Sequence, residues 1–209
     1  MAGDERQDWL ESAFGAVCKS AHCSEARRRT LEEVIQLAVE VAREGREGRK
    51  IGTLFVIGDV DEVLAQSRSL LLDPLYGHPN ELLRVERPEL RETIKEFAQL
   101  DGAFVLSDDG TFVSAGRFID VDVNEEQNFM PGLGTRHAAA ASISRTTGAI
   151  AVAVSQSSVV RVFAAGVLRA EIIPELFLMS RESLLTPSPE ITQMPLAGLT
   201  LAVAADEEG

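Results

Sequence analysis

Gly132-Leu-Gly-Thr-Arg-His-Ala-Ala-Ala-Ala-Ser-Ile-Ser144 is the stretch on which the reading of the whole chain turns. Two glycines free the backbone just where an alanine-rich segment suited to a helix begins, and Thr135 stands where it can cap that helix. The start of a helix carries unpaired amides and the positive end of the dipole, so it attracts phosphate. Arg136 and His137 in the first turn would add charge and donors. Ala138 to Ala141 carry so little bulk that the helix can lie close on a sheet. The stretch reads as a phosphate cradle, with an ordinary capped helix after a glycine-containing loop as the competing reading.

Working outward, the helix from Arg136 to Thr147 ends at Gly148, and Ala149 to Val154 reads as a buried strand. Ser155 to Ser158 turns the chain into two further strands, Val159 to Ala164 and Val167 to Ile173, joined at Ala165-Gly166. Upstream, a polar loop from Asp120 to Pro131 follows a hairpin, in which Phe104 to Leu106 and Thr111 to Ser114 flank Asp109-Gly110 and Gly116 and Arg117 lead away. A helix opened by Pro88, with Leu90, Ile94, Phe97 and Ala98 on one face, runs into Asp101-Gly102-Ala103. Ile51 to Ile57 predicts another buried strand. Gly58 and Asp59 after it lack phosphate-loop spacing and read as a plain corner into a helix from Asp61 to Leu71. Asp73 to Asn80, with two prolines and a glycine, should be an ordered loop, and His78 within it has no neighbouring metal ligand.

Near the N-terminus, Thr30 and Glu33 form a capping-box pattern ahead of the stripe Leu31, Val34, Ile35, Ala38, Val41 and Ala42, which Gly45 and Gly48 should end. Trp9, Leu10, Ala13, Phe14 and Val17 suggest a shorter amphipathic helix over residues 5–18. Beyond Pro174 the pattern weakens to a short helix, Leu176 to Leu185, and a last apolar run, Leu199 to Ala204. Residues 1–48 read as an N-terminal helical appendage, 49–185 as the main domain and 186–209 as a C-terminal extension. The apolar stripes of the appendage must bury on the same domain or on a neighbouring chain.

The chain has 209 residues, 45% hydrophobic and 25% charged, the balance of a globular protein. Its 33 acidic residues against 20 basic ones give a net charge of -13, which argues against a generally nucleic-acid-binding or anionic-membrane-binding surface. A local basic pocket is compatible with that balance. Cys18 and Cys23 do not form a zinc pattern and read as free thiols. Residues 1–6 lack the apolar core of a signal peptide, and no run approaches the roughly 20 apolar residues of a membrane span, so the expected location is cytoplasmic.

Asp101-Gly102-Ala103 joins a carboxylate to two residues with little side chain at the mouth of a strand, where a sugar or base could approach the backbone. A carboxylate opposite a phosphate cradle is what metal-assisted phosphoryl or nucleotidyl transfer needs, although Asp101 could instead simply cap the strand. These two motifs, in this order, resemble the diadenylate cyclase family. Asp101-Gly102-Ala103 matches its Asp-Gly-Ala motif, and Gly134-Thr135-Arg136-His137 matches the start of its Gly-Thr-Arg-His-Arg motif, over roughly Ile51 to Ile173.

The resemblance implies an α/β fold, a mixed central β-sheet flanked by helices, with residues 49–185 as a catalytic domain that binds one ATP and makes cyclic di-AMP only when two copies face each other, so a homo-oligomer of at least facing dimers. It assigns catalysis to Asp101, acting on the 3'-hydroxyl or on a Mg²⁺ or Mn²⁺ ion across the interface. Gly102 and Ala103 would admit the nucleoside; Gly134, Thr135, Arg136 and His137 would hold the triphosphate, with Ser155 also in the site. The sequence departs from the family at Ala138, where the motif has its second arginine, which leaves Arg117, Arg145 or Arg161 to supply the charge. It departs again at Gln156, a neutral second candidate for the metal where an acidic residue is common. Alanines after the histidine resemble the archaeal branch. Two alternatives stay open: a non-catalytic sensor of ATP or cyclic di-AMP, and an unrelated phosphotransferase if the two motifs lie apart.

Overall fold

The structure, a computed structural model, describes residues 17–18, 23–70, 72–120 and 134–174, and the backbone of 190–194 and 199–203. Residues up to Pro174 form one compact unit and Glu175–Gly209 a second. In the second, β8 (Glu190–Met194) pairs antiparallel with β9 (Leu199–Val203), so the last apolar run is a strand. The helix expected over Leu176 to Leu185 lies outside the described residues.

The first unit is built on a seven-stranded sheet in the order β2-β4-β3-β1-β5-β6-β7. Its members are β1 (Thr53–Ile57), β2 (Ser67–Ser69), β3 (Ala103–Leu106), β4 (Phe112–Ile119), β5 (Ile150–Val154), β6 (Val160–Ala164) and β7 (Val167–Ile172). Only β1 and β3 run parallel; β1 with β5, β5 with β6 and β6 with β7 are antiparallel. The centre of the sheet is apolar on both faces because both are covered. Every residue of β1, β3 and β5 is buried.

The helices are α1 (Glu25–Glu44), α2 (Val60–Ala65), α3 (Pro88–Phe97) and α4 (Thr135–Thr146). Successive strand residues face opposite sides. Leu54 and Val56 join Ala151, Ala153, Ala140, Ala141 and Ile143 in the layer beneath α4. Alanines on both sides of that contact are what lets α4 lie close, as the alanine run predicts. Phe55 and Phe104 stack on the other face with ring centroids 5.2 Å apart, and Phe112 meets Phe104 edge-on at 5.9 Å.

Helix α1 packs on β1, β5 and β6, and its predicted stripe of Leu31, Val34, Ile35, Ala38, Val41 and Ala42 is buried. This part of residues 1–48 is therefore a layer of the same unit rather than an appendage, and the division of the chain falls at Pro174 rather than after 185. Of the helix expected over residues 5–18, only Val17 and Cys18 are described, and both are helical. Both cysteines are free, and burial first, then the hydrogen bond to Cys18, pushes the Cys23 thiol up to about 12.

Several local expectations are corrected. The cap of α1 is Ser24, whose hydroxyl accepts from the Arg27 amide at 3.1 Å; Thr30 is buried within the helix and donates to the Asp108 carbonyl at 2.8 Å. Helix α2 stops at Ala65 because Ser67–Ser69 leaves to pair with β4, and the Ser67 hydroxyl turns back to the Val63 carbonyl. The turn at Asp109-Gly110 is longer than a two-residue hairpin: the Ser107 amide donates to Thr111 and the Gly110 amide to Ser107. Gly116 and Arg117 lie inside β4, which runs on to Ile119. The polar loop from Asp120 has only its first residue among those described.

Candidate active site

Asp101 ends up beside Arg136 because both stand at the same end of the sheet. β1 and β3 begin there, β5 finishes there, and α4 points its N-terminus at the same edge. The distance from Asp101 Oδ1 to Arg136 Nη2 is 3.6 Å, so the two motifs meet in space and the reading that needs them apart is removed. The Asp101 side chain is 85% exposed, and Arg136 is its only ion-pair partner among the described residues.

Two cavities open at this edge. The larger, about 600 Å³, is lined by Leu54, Ala103, Phe118, Ile119, Ala138 and Ala139, with Asp101, Arg117, Asp120 and Arg136 at its polar side. The smaller, about 350 Å³, is lined by Gly134, Thr135, Arg136, His137, Ser155 and Arg161, together with Gln156. Thr135 and Arg136 belong to both and form the wall between them. The larger cavity sets an apolar wall beside two carboxylates and two guanidiniums; the smaller has two guanidiniums and a helix N-terminus and no acidic residue among the described residues lining it.

The sequence-predicted residues all line one or the other of these cavities, held there for reasons that partly differ from those expected. Gly134, not Thr135, is the N-cap of α4, and Thr135 opens the helix. Gly102 has φ +108°, and a Cβ there would sit 2.5 Å from the Gly116 carbonyl carbon. Its glycine is demanded by the crossing of β4 as much as by any ligand. The Ser155 hydroxyl lies 2.6 Å from that of Ser157 and donates to the Val159 carbonyl at 3.1 Å. Gln156 is exposed and lines the smaller cavity, whereas Asp101 lines the larger, so they do not form a ligand pair. Among the described residues there is no group of three or more His, Cys, Asp or Glu arranged to hold a metal.

His137 is 6% exposed, and its pKa is held below the ordinary histidine value by burial first and then by the charges of Arg161 and Arg136. Its Nε2 lies 3.1 Å from Arg161 Nη1. Because a guanidinium only donates, Nε2 accepts, which places the ring proton on Nδ1 in the neutral tautomer. His137 is thus a neutral ring that holds an arginine, not the additional positive charge expected at the first turn.

Of the three arginines considered for the missing charge, two are engaged elsewhere. Arg117 bonds Ser67, Ser69 and the carbonyls of Leu64 and Ser67, tying the α2–β2 corner to β4. Arg145 lies in the last turn of α4 beside Gly166, about 13 Å along the helix from Arg136. Arg117 also lines the larger cavity, and of the three Arg161 alone lines the smaller one.

Gly52 is a site residue that sequence reasoning missed. A Cβ on it would meet Arg136 Nη1 at 2.9 Å and the Val154 carbonyl at 3.1 Å, so its bareness makes room for Arg136. A glycine directly before a buried strand was the available signal.

The chain is similar to proteins of one family. The family model described as DisA bacterial checkpoint controller nucleotide-binding, or DAC, matches residues 40–168, more than half of the chain. A diadenylate cyclase of Methanocaldococcus jannaschii is 48% identical over 151 residues, which is 72% of this chain and 47% of the relative. A diadenylate cyclase of Haloferax volcanii is 37% identical over 148 residues, 70% of this chain and 54% of the relative. The chain thus spans about half the length of these curated relatives. A solved structure of a hypothetical membrane spanning protein from Bacillus cereus shares the fold, with a TM-score of 0.51 at 18% identity over 67% of this chain and 62% of that one. Among the described residues of this chain, no helix is long and apolar enough to cross a membrane.

Proposed function

This chain belongs to the DisA bacterial checkpoint controller nucleotide-binding family, and from that premise we propose that it is a diadenylate cyclase, converting two ATP into cyclic di-AMP and two pyrophosphates. The observation that carries the reading is the single wall at Arg136, shared by a cavity with an apolar wall and a cationic one, with Asp101 at 3.6 Å. A nucleotide is apolar at the base and anionic at the phosphates, and this edge of the sheet has the same polarity. The base would lie against Leu54, Ala103 and Ala139, the phosphates would enter the cavity of Thr135 and Arg136, and the ribose would fall near Asp101.

The chemistry is then positioning and charge neutralisation. The 3'-hydroxyl oxygen of one nucleotide bonds to the α-phosphorus of another, the bond from that phosphorus to the β-phosphate oxygen breaks, and pyrophosphate leaves. The hydroxyl proton passes to the Asp101 carboxylate and on to solvent. Repeating the step in the opposite direction closes the ring. Each half-reaction needs a hydroxyl and a phosphate from different nucleotides, so two copies of the chain must face each other, and a homo-oligomer follows.

A hard divalent cation such as Mg²⁺ or Mn²⁺ takes one or two carboxylates and completes its shell with phosphate oxygens and water. Asp101 fits that demand, being exposed and loosely paired, and Asp120 lines the same cavity; Gln156 fits poorly because its amide is neutral. The bound cation would offset negative charge on the phosphates during transfer. That both named relatives are cyclases, together with the exposed Asp101, weighs against the non-catalytic sensor. The test is to incubate the purified chain with ATP and Mg²⁺ or Mn²⁺ and separate the products. Cyclic di-AMP with two pyrophosphates per ring is the expected result; ATP that is bound but never consumed would return the sensor to favour.

A further inference from the structure

The smaller cavity holds a second cation that comes from a strand instead of from the helix. Arg161 sits on β6 directly across from Glu171 on β7, and its Nε donates to Glu171 Oε1 at 2.7 Å. Its Nη1 donates to His137 Nε2 at 3.1 Å. These two contacts fix the plane of the guanidinium while leaving Nη2 without a protein partner among the described residues, at the edge of a cavity also lined by Thr135 and Arg136. The side chain is 17% exposed, so a charge has been brought largely out of water with only one carboxylate beside it. Such an arrangement is stabilised further by an anion.

Resting on the nucleotide reading above, we infer that Arg161 is the second phosphate-binding cation of this site and supplies from β6 the charge that Ala138 cannot supply from α4. His137 is its positioning residue, through the neutral ring that accepts from Nη1. Glu171 is the internal anion that holds Nε from the side away from the histidine. A diphosphate or triphosphate group is the fitting ligand, because Arg136 and Arg161 stand on two walls of one cavity and can each meet a different phosphoryl group.

The experiment measures the affinities of ATP, inorganic pyrophosphate and adenosine for the wild-type chain and for Arg161→Gln, Arg161→Lys and Glu171→Gln. Arg161→Gln should weaken ATP and pyrophosphate by about ten-fold to a hundred-fold and leave adenosine unchanged. Arg161→Lys, which keeps a cation at the same place, should recover part of the loss. Glu171→Gln breaks the same ion pair but keeps the cation, so pyrophosphate should bind at least as well as to the wild type. If Glu171→Gln loses as much as Arg161→Gln, or if adenosine falls together with pyrophosphate, Arg161 is a structural residue and the inference is overturned. Absence of pyrophosphate binding to the wild type would overturn it too. A wild type that binds pyrophosphate but not ATP would instead sink the nucleotide reading and leave Arg161 to be judged by pyrophosphate alone.

Discussion

The two ends of the central sheet are built from similar residues and put to opposite uses. At the end where β1 and β3 finish, Arg27 grips Asp108 with Nε at 2.6 Å and Nη2 at 3.1 Å, and its Nη1 reaches the Gly148 carbonyl at 2.9 Å. The Gly148 amide donates in turn to Asp59 at 2.7 Å. Gly58 and Asp59, the corner that could have been a phosphate turn, are thus engaged with the protein itself. At the end where β1 and β3 begin, the corresponding pair is Asp101 and Arg136 at 3.6 Å, with the carboxylate almost wholly in water. One end is stitched and the other is left open for a ligand. In parallel sheets ligands gather at the carboxyl ends of the strands. Here the sheet is mixed, and the helix that faces the open end, α4, enters from the antiparallel side, so the anion site moves to the opposite edge.

The contrast is sharpest in what each end should lose on mutation. The largest effect should come from Asp101→Asn, which keeps the shape and removes the charge. Turnover should fall by roughly 10²- to 10⁴-fold, while ATP affinity and thermal midpoint stay near the wild-type values, since so exposed a carboxylate adds little to stability. Next comes Gly102→Ala at the same end, where positive φ and the Gly116 backbone leave no room for a methyl group. A loss of about 2 to 4 kcal/mol in denaturant-measured stability is expected, showing that the open end has free side chains on a rigid frame.

A matched pair of arginine variants then tests the comparison directly. Arg27→Ala removes charge-assisted bonds from the stitched end and should lower stability by about 1.5 to 3 kcal/mol, with ATP affinity unchanged. Arg136→Ala should do the reverse, weakening ATP by about ten-fold to a hundred-fold with little change in stability. If the two variants behave alike, the division of labour between the ends is wrong.

The smallest expected effect is the pH dependence from His137. Its folded pKa is depressed, so below the ordinary histidine value the unfolded chain binds a proton that the folded chain resists. Stability from this group is complete above about pH 6.5 and declines as pH falls below it, at no more than about 1.4 kcal/mol per pH unit. Comparing thermal midpoints of the wild type and His137→Gln across that range isolates the contribution; identical pH profiles would mean that the ring is not held neutral.

The strands β1, β3 and β5 at the middle of the sheet were legible because they are continuous apolar runs, which suit a sheet covered on both faces. The two corners of the site were legible for a related reason: small residues beside one charged group are rare except where a backbone must come close to something. Ser24 was not, because the run after it, Glu25 to Arg29, is polar and conceals the start of a helix whose apolar stripe begins a turn and a half later. β2 was not, because Ser-Arg-Ser has no β-forming signal and owes its pairing to the edge that β4 offers. Arg161 was one candidate among three, and only the tertiary contact with His137, from an element 24 residues earlier, singles it out.

The central claim is that the open end is half of an active site and that a second copy completes the reaction. Mixing the two inactive variants Asp101→Asn and Arg136→Ala, under conditions where chains exchange, tests it most directly. A mixed pair has one intact carboxylate and one intact phosphate wall, on different chains, so a single phosphodiester bond can form. The account predicts the linear dinucleotide with one pyrophosphate released and little cyclic di-AMP. Abundant cyclic product, or no joined product at all, would contradict it.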